Sequence, residues 1–224
     1  MTHSLFAASL FGIQLSTEQF IYVVGMSLAV VLFAIVFHEV AHGLVALWNG
    51  DPTAKYEGRL SLNPVKHLDP IGSVLVPIIS FVFLHFPFGW ARPVPVNPLN
   101  FRRRVFGDIT VSLAGVTANF LFALALGGLL HLTKPNSMNA LVLYIGISLN
   151  CALFVFNLLP VPPLDGSHVF KYLLPARLRA QYMRLGMFGY FILMMVLFSS
   201  GGFLFAPATG YLWRAVMFLS GHGW

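Results

Sequence analysis

Residues 20–48 read FIYVVGMSLAVVLFAIVFHEVAHGLVALW, and the first 18 of them carry no charge. An uncharged run of this length is typical of a helix that crosses a bilayer. The run leads directly into His38, Glu39 and His42, three ionisable side chains at membrane depth. Because such side chains are costly inside a bilayer, they indicate a functional site there.

The composition of the whole chain also indicates a membrane protein. Of its 224 residues, 58% are hydrophobic and 9% are charged, whereas soluble domains carry about 25% charged residues. The apolar runs are continuous rather than alternating, which argues against an outer-membrane β-barrel. The net charge of +6 lies in loops between these runs, so it reflects membrane topology rather than nucleic-acid binding.

The apolar runs predict an all-α polytopic membrane protein, a bundle of about 4–6 transmembrane helices, with a small extended or β region. Helices are expected over about 20–48, 106–132 and 140–159, and the final apolar region, 185–219, is expected to be one helix plus a short return. Three prolines predict extended chain over 89–100. We expect one membrane-embedded domain over residues 1–224.

The positions of Lys and Arg decide how the apolar segment 70–88 lies. If this segment enters the membrane and returns, residues 49–105 lie on one side with seven Lys and Arg, and loop 133–139 lies on the other side with one. A crossing segment would scatter these charges over both sides, against the positive-inside rule. We therefore expect a re-entrant segment, a cytoplasmic 49–105 and an outward N-terminus.

The spacing of His38 and His42 predicts a metal site. Four residues turn a helix by about 400°, so both rings lie on one face, about 6 Å apart along the axis, and can share a Zn²⁺ ion. Glu39 then flanks the metal, where it can exchange a proton with an attacking water. The alternative, two packed histidines and a glutamate that reaches water, is disfavoured because the motif lies about 15 Å from the helix end.

A catalytic zinc site needs a third protein ligand, and the four Asp residues are the candidates. Asp51 and Asp69 lie in a polar loop, and Asp108 is expected to favour the dipole at the start of its helix. Asp165 follows a proline-interrupted helix end and precedes Gly166, which allows the carboxylate to point into the bundle. Spacing alone does not separate this role from that of an ordinary Asp-Gly turn.

Two motifs match a known pattern. His38-Glu39-Val40-Ala41-His42-Gly43 is followed on a later helix by Asn157-Leu-Leu-Pro-Val-Pro-Pro-Leu-Asp165-Gly166. Together they resemble the site-2 protease family of intramembrane zinc metalloproteases, peptidase family M50. Residues 58–64 and 88–98 look like its compact prokaryotic branch, which has no PDZ or CBS domain.

The resemblance implies that Asp165 is the third Zn²⁺ ligand and that Glu39 is the catalytic acid and base. It also implies Ala-Gly-Pro-x-x-Asn on the helix at 106, where this chain has Val116 for the proline and keeps Asn119. Asn119 is expected either to contact the substrate or an oxyanion, or to bond a neighbouring helix. Asn157 is expected either to pair with substrate backbone or to cap a helix.

These features predict a zinc-dependent endopeptidase that cleaves transmembrane segments of membrane-protein substrates, in regulated intramembrane proteolysis. We expect it in a prokaryotic inner or plasma membrane, with its active site toward the cytoplasm. A metal-binding transporter and a proteolytically silent membrane-binding protein are the alternatives. The glutamate between the histidines suits water activation, and the chain has no internal repeat, which disfavours a transporter.

Overall fold

The computed structural model describes residues 8–10, 13–76, 78–79, 82, 91–199 and 205–222. Two short strands near the start, β1 (Ala8–Leu10) and β2 (Ile13–Leu15), form an antiparallel hairpin. The longer described elements are helices: α1 (Thr17–Trp48), α2 (Thr53–Tyr56), α3 (Arg104–Leu130), α4 (Met138–Asn157), α5 (Asp165–Phe170), α6 (Ala176–Arg184), α7 (Gly186–Ser199) and α8 (Ala206–Leu219). Short turns of other helix types lie at Pro64–His67, Pro70–Leu75, Pro98–Asn100 and Lys171–Leu173.

Helices α1, α3 and α4 are long and apolar enough to cross a membrane. They confirm the predicted all-α multi-pass class. Helix α1 starts three residues before its predicted start and ends at the predicted Trp48, and α3 and α4 each lie two residues earlier at both ends than predicted. Capping side chains account for the starts of α1 and α4, whereas α3 has no side-chain cap. Ser16 and Gln19 form a capping box before α1, and Ser137 caps α4. The final apolar region contains α7 and α8, which have 14 residues each.

Small residues allow the long helices to pack closely. A side chain at Gly146 of α4 would meet Val30 of α1 at 2.8 Å and Leu126 of α3 at 3.0 Å. A buried apolar cluster that includes Ala123, Ile147 and Val216 joins α3, α4 and α8. Close packing of this kind stabilises helix pairs in a membrane, where lipid is as apolar as the side chains.

The two ends of the segment predicted to be re-entrant meet in the structure. The Arg92 N–H donates to the His67 carbonyl at 2.9 Å. The two flanking residues therefore lie at the same level, as a re-entrant segment requires. Residues 70–76 are helical, and residues 83–90 lie outside the described part of the chain. Extended chain was predicted over 89–100, and residues 91–97 contain neither helix nor strand, in agreement with it. Pro98–Asn100 form a 3₁₀ turn instead, since the Asn97 side chain caps it and Pro98 suits its first position. Residues 89–90 lie outside the described part of the chain.

Candidate metal site

Three donor atoms meet between α1 and α5. His38 Nε2 lies 2.9 Å from His42 Nε2, and Asp165 Oδ2 lies 3.2 Å from the first and 3.4 Å from the second. A tetrahedral zinc ion with bonds of about 2.0–2.1 Å holds its ligand atoms about 3.3 Å apart. The three distances therefore fit one ion bound by all three side chains.

The second nitrogen of each ring is held by a neighbouring oxygen on α3. His42 Nδ1 lies 2.7 Å from the Val111 carbonyl, which can only accept, so this nitrogen carries the proton. His38 Nδ1 lies 2.8 Å from Asn119 Oδ1 and donates in the same way. Both Nε2 atoms then present lone pairs to each other and to a carboxylate, an arrangement that a shared cation stabilises.

Glycines allow the elements of this site to approach one another. A Cβ at Gly115 of α3 would lie 2.5 Å from His38 Cε1 and 2.6 Å from its Nε2, and it would also clash with His42 Nε2. A Cβ at Gly166 would clash with the Leu158 carbonyl at the end of α4. Both positions therefore require glycine if the rings and Asp165 are to meet.

Glu39 shares a cavity of about 520 Å³ with the three donor residues. Its Oε2 accepts a hydrogen bond of 2.7 Å from the Val94 N–H, in the extended segment 91–97. Arg59 holds the same segment through its Nη2, which lies 2.7 Å from the Arg92 carbonyl and 3.3 Å from the Pro93 carbonyl. The extended segment therefore forms one wall of the cavity and contacts the glutamate directly.

Asp51, which the sequence leaves in a polar loop, fastens this wall to the end of α1. Its fully buried carboxylate accepts hydrogen bonds from the Thr53 hydroxyl at 2.5 Å, the Asn97 N–H at 2.7 Å and the Asn100 amide at 2.8 Å. Burial by itself would raise the pKa of Asp51, but these hydrogen bonds lower it below the usual range for Asp.

Asn119 and Asn157 both line the cavity. Asn119 is 1% exposed, and its Nδ2 has no hydrogen-bond partner among the described residues. Helix α3 runs without interruption through Val116, so loss of the family proline leaves Asn119 in contact with His38. Asn157 is the last residue of α4, and its Nδ2 donates to the Leu153 carbonyl at 3.1 Å.

Asp108 has a different role from the one that the sequence suggests. The helix starts at Arg104, so Asp108 lies one turn inside it, beyond the first turn in which a carboxylate interacts favourably with the helix dipole. Instead it pairs with His168, Lys171 and Tyr172 at the edge of the cavity. The missed signal is the spacing of Asp108, Gly115 and Asn119, which places them along one face of α3.

His67, in the loop after α2, is buried rather than at the surface. The side chain is 1% exposed, and its Nε2 donates to the Ser61 carbonyl at 2.8 Å. The His67 carbonyl also accepts the Arg92 N–H, so this buried residue holds together the two ends of the segment predicted to be re-entrant.

Membrane-spanning helices, together with two buried histidines and one half-buried aspartate, define the class: a multi-pass membrane protein with a candidate site for a divalent metal. Comparison with known proteins agrees with this class. The family model described as "Peptidase family M50" matches residues 125–199. The Bacillus subtilis protein named "Putative zinc metalloprotease YwhC" is 42% identical over 170 residues, which cover 72% of this chain and 74% of that protein.

The Mycolicibacterium smegmatis protein named "Putative zinc metalloprotease Rip2" is 32% identical over 141 residues, which cover 60% of this chain and 52% of that protein. No solved structure matches the chain. The chain belongs to peptidase family M50, the site-2 protease family, and is a metalloendopeptidase.

Proposed function

We propose that the chain is a zinc-dependent intramembrane endopeptidase whose Zn²⁺ is held by His38, His42 and Asp165. The observation that carries this proposal is the convergence of the three donor atoms in one cavity with Glu39. Both histidines and Glu39 come from the membrane-spanning helix α1, and Asp165 comes from α5. His38 lies ten residues, or about 15 Å, from the end of α1, which is below the membrane surface. When bound, Zn²⁺ makes water a nucleophile at neutral pH and polarises the scissile carbonyl.

Glu39 is the proton-transfer group in this proposal. The Val94 N–H occupies Oε2, which fixes the carboxylate and leaves Oε1 to accept a proton from the attacking water. Glu39 then delivers that proton to the nitrogen of the departing peptide, so one side chain serves both steps. The contact with Val94 matters because a carboxylate free to rotate spends less time in the reactive orientation.

The two asparagines are proposed to hold the substrate. Asn119 orients His38 through Oδ1, and its buried Nδ2 is available to donate to a substrate carbonyl as negative charge develops there. Asn157 uses Nδ2 within α4, which leaves Oδ1 at the cavity to accept from a substrate N–H. A single amide at Asn119 thereby links metal binding to substrate binding.

We propose transmembrane segments of other membrane proteins as substrates. A helical peptide bond is shielded by its own hydrogen bonds, so the segment must unwind before it reaches Glu39. The extended wall 91–97 can pair with the unwound strand by β-addition. Several of its polar groups are already bonded, including the Val94 N–H and the Arg92 carbonyl, so pairing would use the others, such as those of Val96. Cleavage that survives replacement of residues 92–97 would contradict this clamp.

The proposal extends to location and organisation. His67 and Arg92, which flank the segment predicted to be re-entrant, are hydrogen-bonded, and Asp51 at the end of α1 accepts from the Asn97 N–H in the chain that follows Arg92. Most of the Lys and Arg lie in this part of the sequence, so we propose it as the cytoplasmic side by the positive-inside rule. We propose a single membrane-embedded domain over residues 1–224 in a prokaryotic inner or plasma membrane, with access to the metal site from the cytoplasm.

The test is cleavage of a single-span model substrate by the purified protein in proteoliposomes. Glu39→Gln is expected to lower cleavage by about 10²–10⁴-fold, the usual contribution of a general acid or base, while zinc content stays the same. Glu57→Gln, a change of the same kind in an exposed loop, is the matched control and is expected to cleave normally. Equal cleavage by Glu39→Gln and the wild type would contradict the proposed role. Zinc binding with ion flux and no cleavage would favour the transporter, and zinc binding with neither would favour the silent protein.

A further inference from the structure

A charged cluster lies at the edge of the metal-site cavity. Asp108 Oδ1 lies 3.2 Å from His168 Nδ1, and Asp108 Oδ2 accepts a bond of 2.7 Å from the Tyr172 hydroxyl. Lys171 Nζ forms an ion pair with the same oxygen. We call these four residues the Asp108 cluster. The Asp108 carboxylate is buried, and it joins α3 to the end of α5 and the turn that follows.

The Asp108 cluster belongs to the cavity but lies away from the reacting bond. Asp108 and His168 line the same cavity as Glu39. Along α3, Asp108 precedes Gly115, which touches both ligand rings, by seven residues, or about 10 Å. An extended peptide advances about 3.3 Å per residue, so a substrate strand reaches the cluster about three residues from its scissile bond. The direction is toward the start of α3 and the end of α1, the proposed cytoplasmic side.

Cations outnumber anions around the Asp108 cluster. The charge of Lys171 balances that of Asp108, and Arg179 lies over the Tyr172 ring at 5.5 Å from its centre. Arg104, at the start of α3, also acts electrostatically on Tyr172. Burial and the contact with Asp108 raise the pKa of Tyr172 to about 12, so this hydroxyl stays neutral at pH 7. The ionisable groups that line the same cavity as His168 include His38, Glu39, His42 and Asp165. A divalent metal bound there would balance the two negative charges of Glu39 and Asp165.

His168 is the part of the Asp108 cluster that a substrate can touch. Its side chain is 35% exposed, and its Nε2 forms no hydrogen bond within the described part of the chain. Nδ1 lies 3.2 Å from Asp108 Oδ1 and 3.3 Å from Lys171 Nζ, so the Asp108 cluster holds the ring from that side. With Lys171 Nζ donating to Nδ1, the ring proton lies on Nε2, which can donate a hydrogen bond to a substrate carboxylate.

We propose that His168, held by the Asp108 cluster, is a substrate subsite for an acidic side chain on the cytoplasmic side of the scissile bond, about three residues away. This inference rests on the proposed function. An acidic side chain at this place would set the substrates apart, because most transmembrane segments carry Lys and Arg at their cytoplasmic ends. The surplus of cations at this subsite disfavours such ends and selects transmembrane segments with Asp or Glu there.

The experiment is a substrate scan with the purified, zinc-loaded protein in proteoliposomes. A single-span substrate carries Glu, Gln or Lys in turn at each of five positions on the cytoplasmic side of the cleaved bond. The wild type is expected to prefer Glu to Lys in kcat/KM by about tenfold at one or two adjacent positions, the effect of one partly screened charge pair. The preference is expected to be weak at the other positions.

Variants of His168 assign the preference to this ring. His168→Ala is expected to remove the discrimination between Glu and Lys, and His168→Glu to invert it. Zinc content is expected to match the wild type, and cleavage of the Gln substrate is the reference to which the Glu and Lys rates of each variant are scaled. His131→Ala, at the far end of α3, is the matched control and is expected to keep the preference.

Two results would overturn the inference while the proposed function stands: equal cleavage of the Glu and Lys substrates at every position, or an unchanged preference in His168→Ala. If the zinc-loaded wild type cleaves none of the substrates, including the Gln series, the proposed function fails and the inference fails with it.

Discussion

Gly115→Ala is the substitution whose effect follows most directly from the structure. The added methyl would lie 2.5 Å from His38 Cε1 and 2.6 Å from His38 Nε2, and it would also meet His42 Nε2. Atoms of this kind pack at about 3.5 Å, so the rings or α3 must move by about 1 Å. Rotation of the rings would break hydrogen bonds, because the Asn119 side chain and the Val111 carbonyl accept from the other ring nitrogens.

We therefore expect Gly115→Ala to lower zinc affinity by about 10–100-fold, as the loss of supporting contacts does at other zinc sites. Cleavage is expected to fall by about 100-fold even at saturating zinc, because a misplacement of about 1 Å has an effect of that size. A competing chelator measures the affinity, and proteoliposome cleavage measures the activity.

Gly128→Ala is the matched control for this experiment. It lies on the same helix, and its added methyl would meet no atom within 4 Å. It is expected to keep wild-type zinc affinity and activity. Wild-type affinity and cleavage in Gly115→Ala would refute the close approach of α3 to the histidine pair.

Three further changes test other parts of the site. Asn119→Ala is expected to lower zinc affinity by about 10–100-fold in a chelator competition, because Asn119 orients the His38 ring. Asn157→Ala contacts neither histidine ring and is expected to keep wild-type affinity. Equal effects of the two changes would contradict the role of Asn119 in holding His38. Val94→Pro removes the backbone N–H that donates to Glu39, and it is expected to lower kcat about tenfold at constant zinc content. An unchanged kcat would show that Glu39 is oriented without this hydrogen bond. Asp51→Asn is expected to cost about 1–3 kcal/mol at pH 7 in thermal unfolding in detergent, because a buried acceptor of several hydrogen bonds is altered. The folded-state pKa of Asp51 is lowered, so its contribution is complete above the unfolded value of about 4 and is lost as the pH falls through the folded pKa. The difference between wild type and Asp51→Asn is therefore expected to shrink in acid, and a difference that is constant with pH would contradict this role.

The local part of the fold is readable in the sequence. The apolar run before His38 predicts α1 to within three residues at its start, because about 30 Å of hydrocarbon demands a long uninterrupted helix. The remaining error comes from Ser16 and Gln19, whose capping box extends the helix beyond the apolar run. The spacing of His38 and His42 likewise predicts a shared face, since helical geometry alone determines it.

Contacts between distant parts of the chain are not readable in the same way. Spacing leaves Asp165 undecided, because its distance from the histidines depends on how α5 packs after a proline-rich turn. Asp108 was assigned a role at a helix end, yet its partner His168 lies 60 residues away, on another element. The three prolines predict the extended wall at 91–97, but the bonds that hold it, to Asp51 and Glu39, depend on the packing of the loop against α1.

The most direct test of the zinc site is the metal content of purified Asp165→Ala, compared with wild type and Glu39→Gln. Mass spectrometry after dialysis against a weak chelator is expected to find about one zinc per chain in the wild type and in Glu39→Gln, because both keep all three ligands. Asp165→Ala is expected to lose most of its zinc while it still elutes as a folded protein in detergent. Full zinc occupancy in folded Asp165→Ala would contradict the account, since the third ligand would then lie elsewhere.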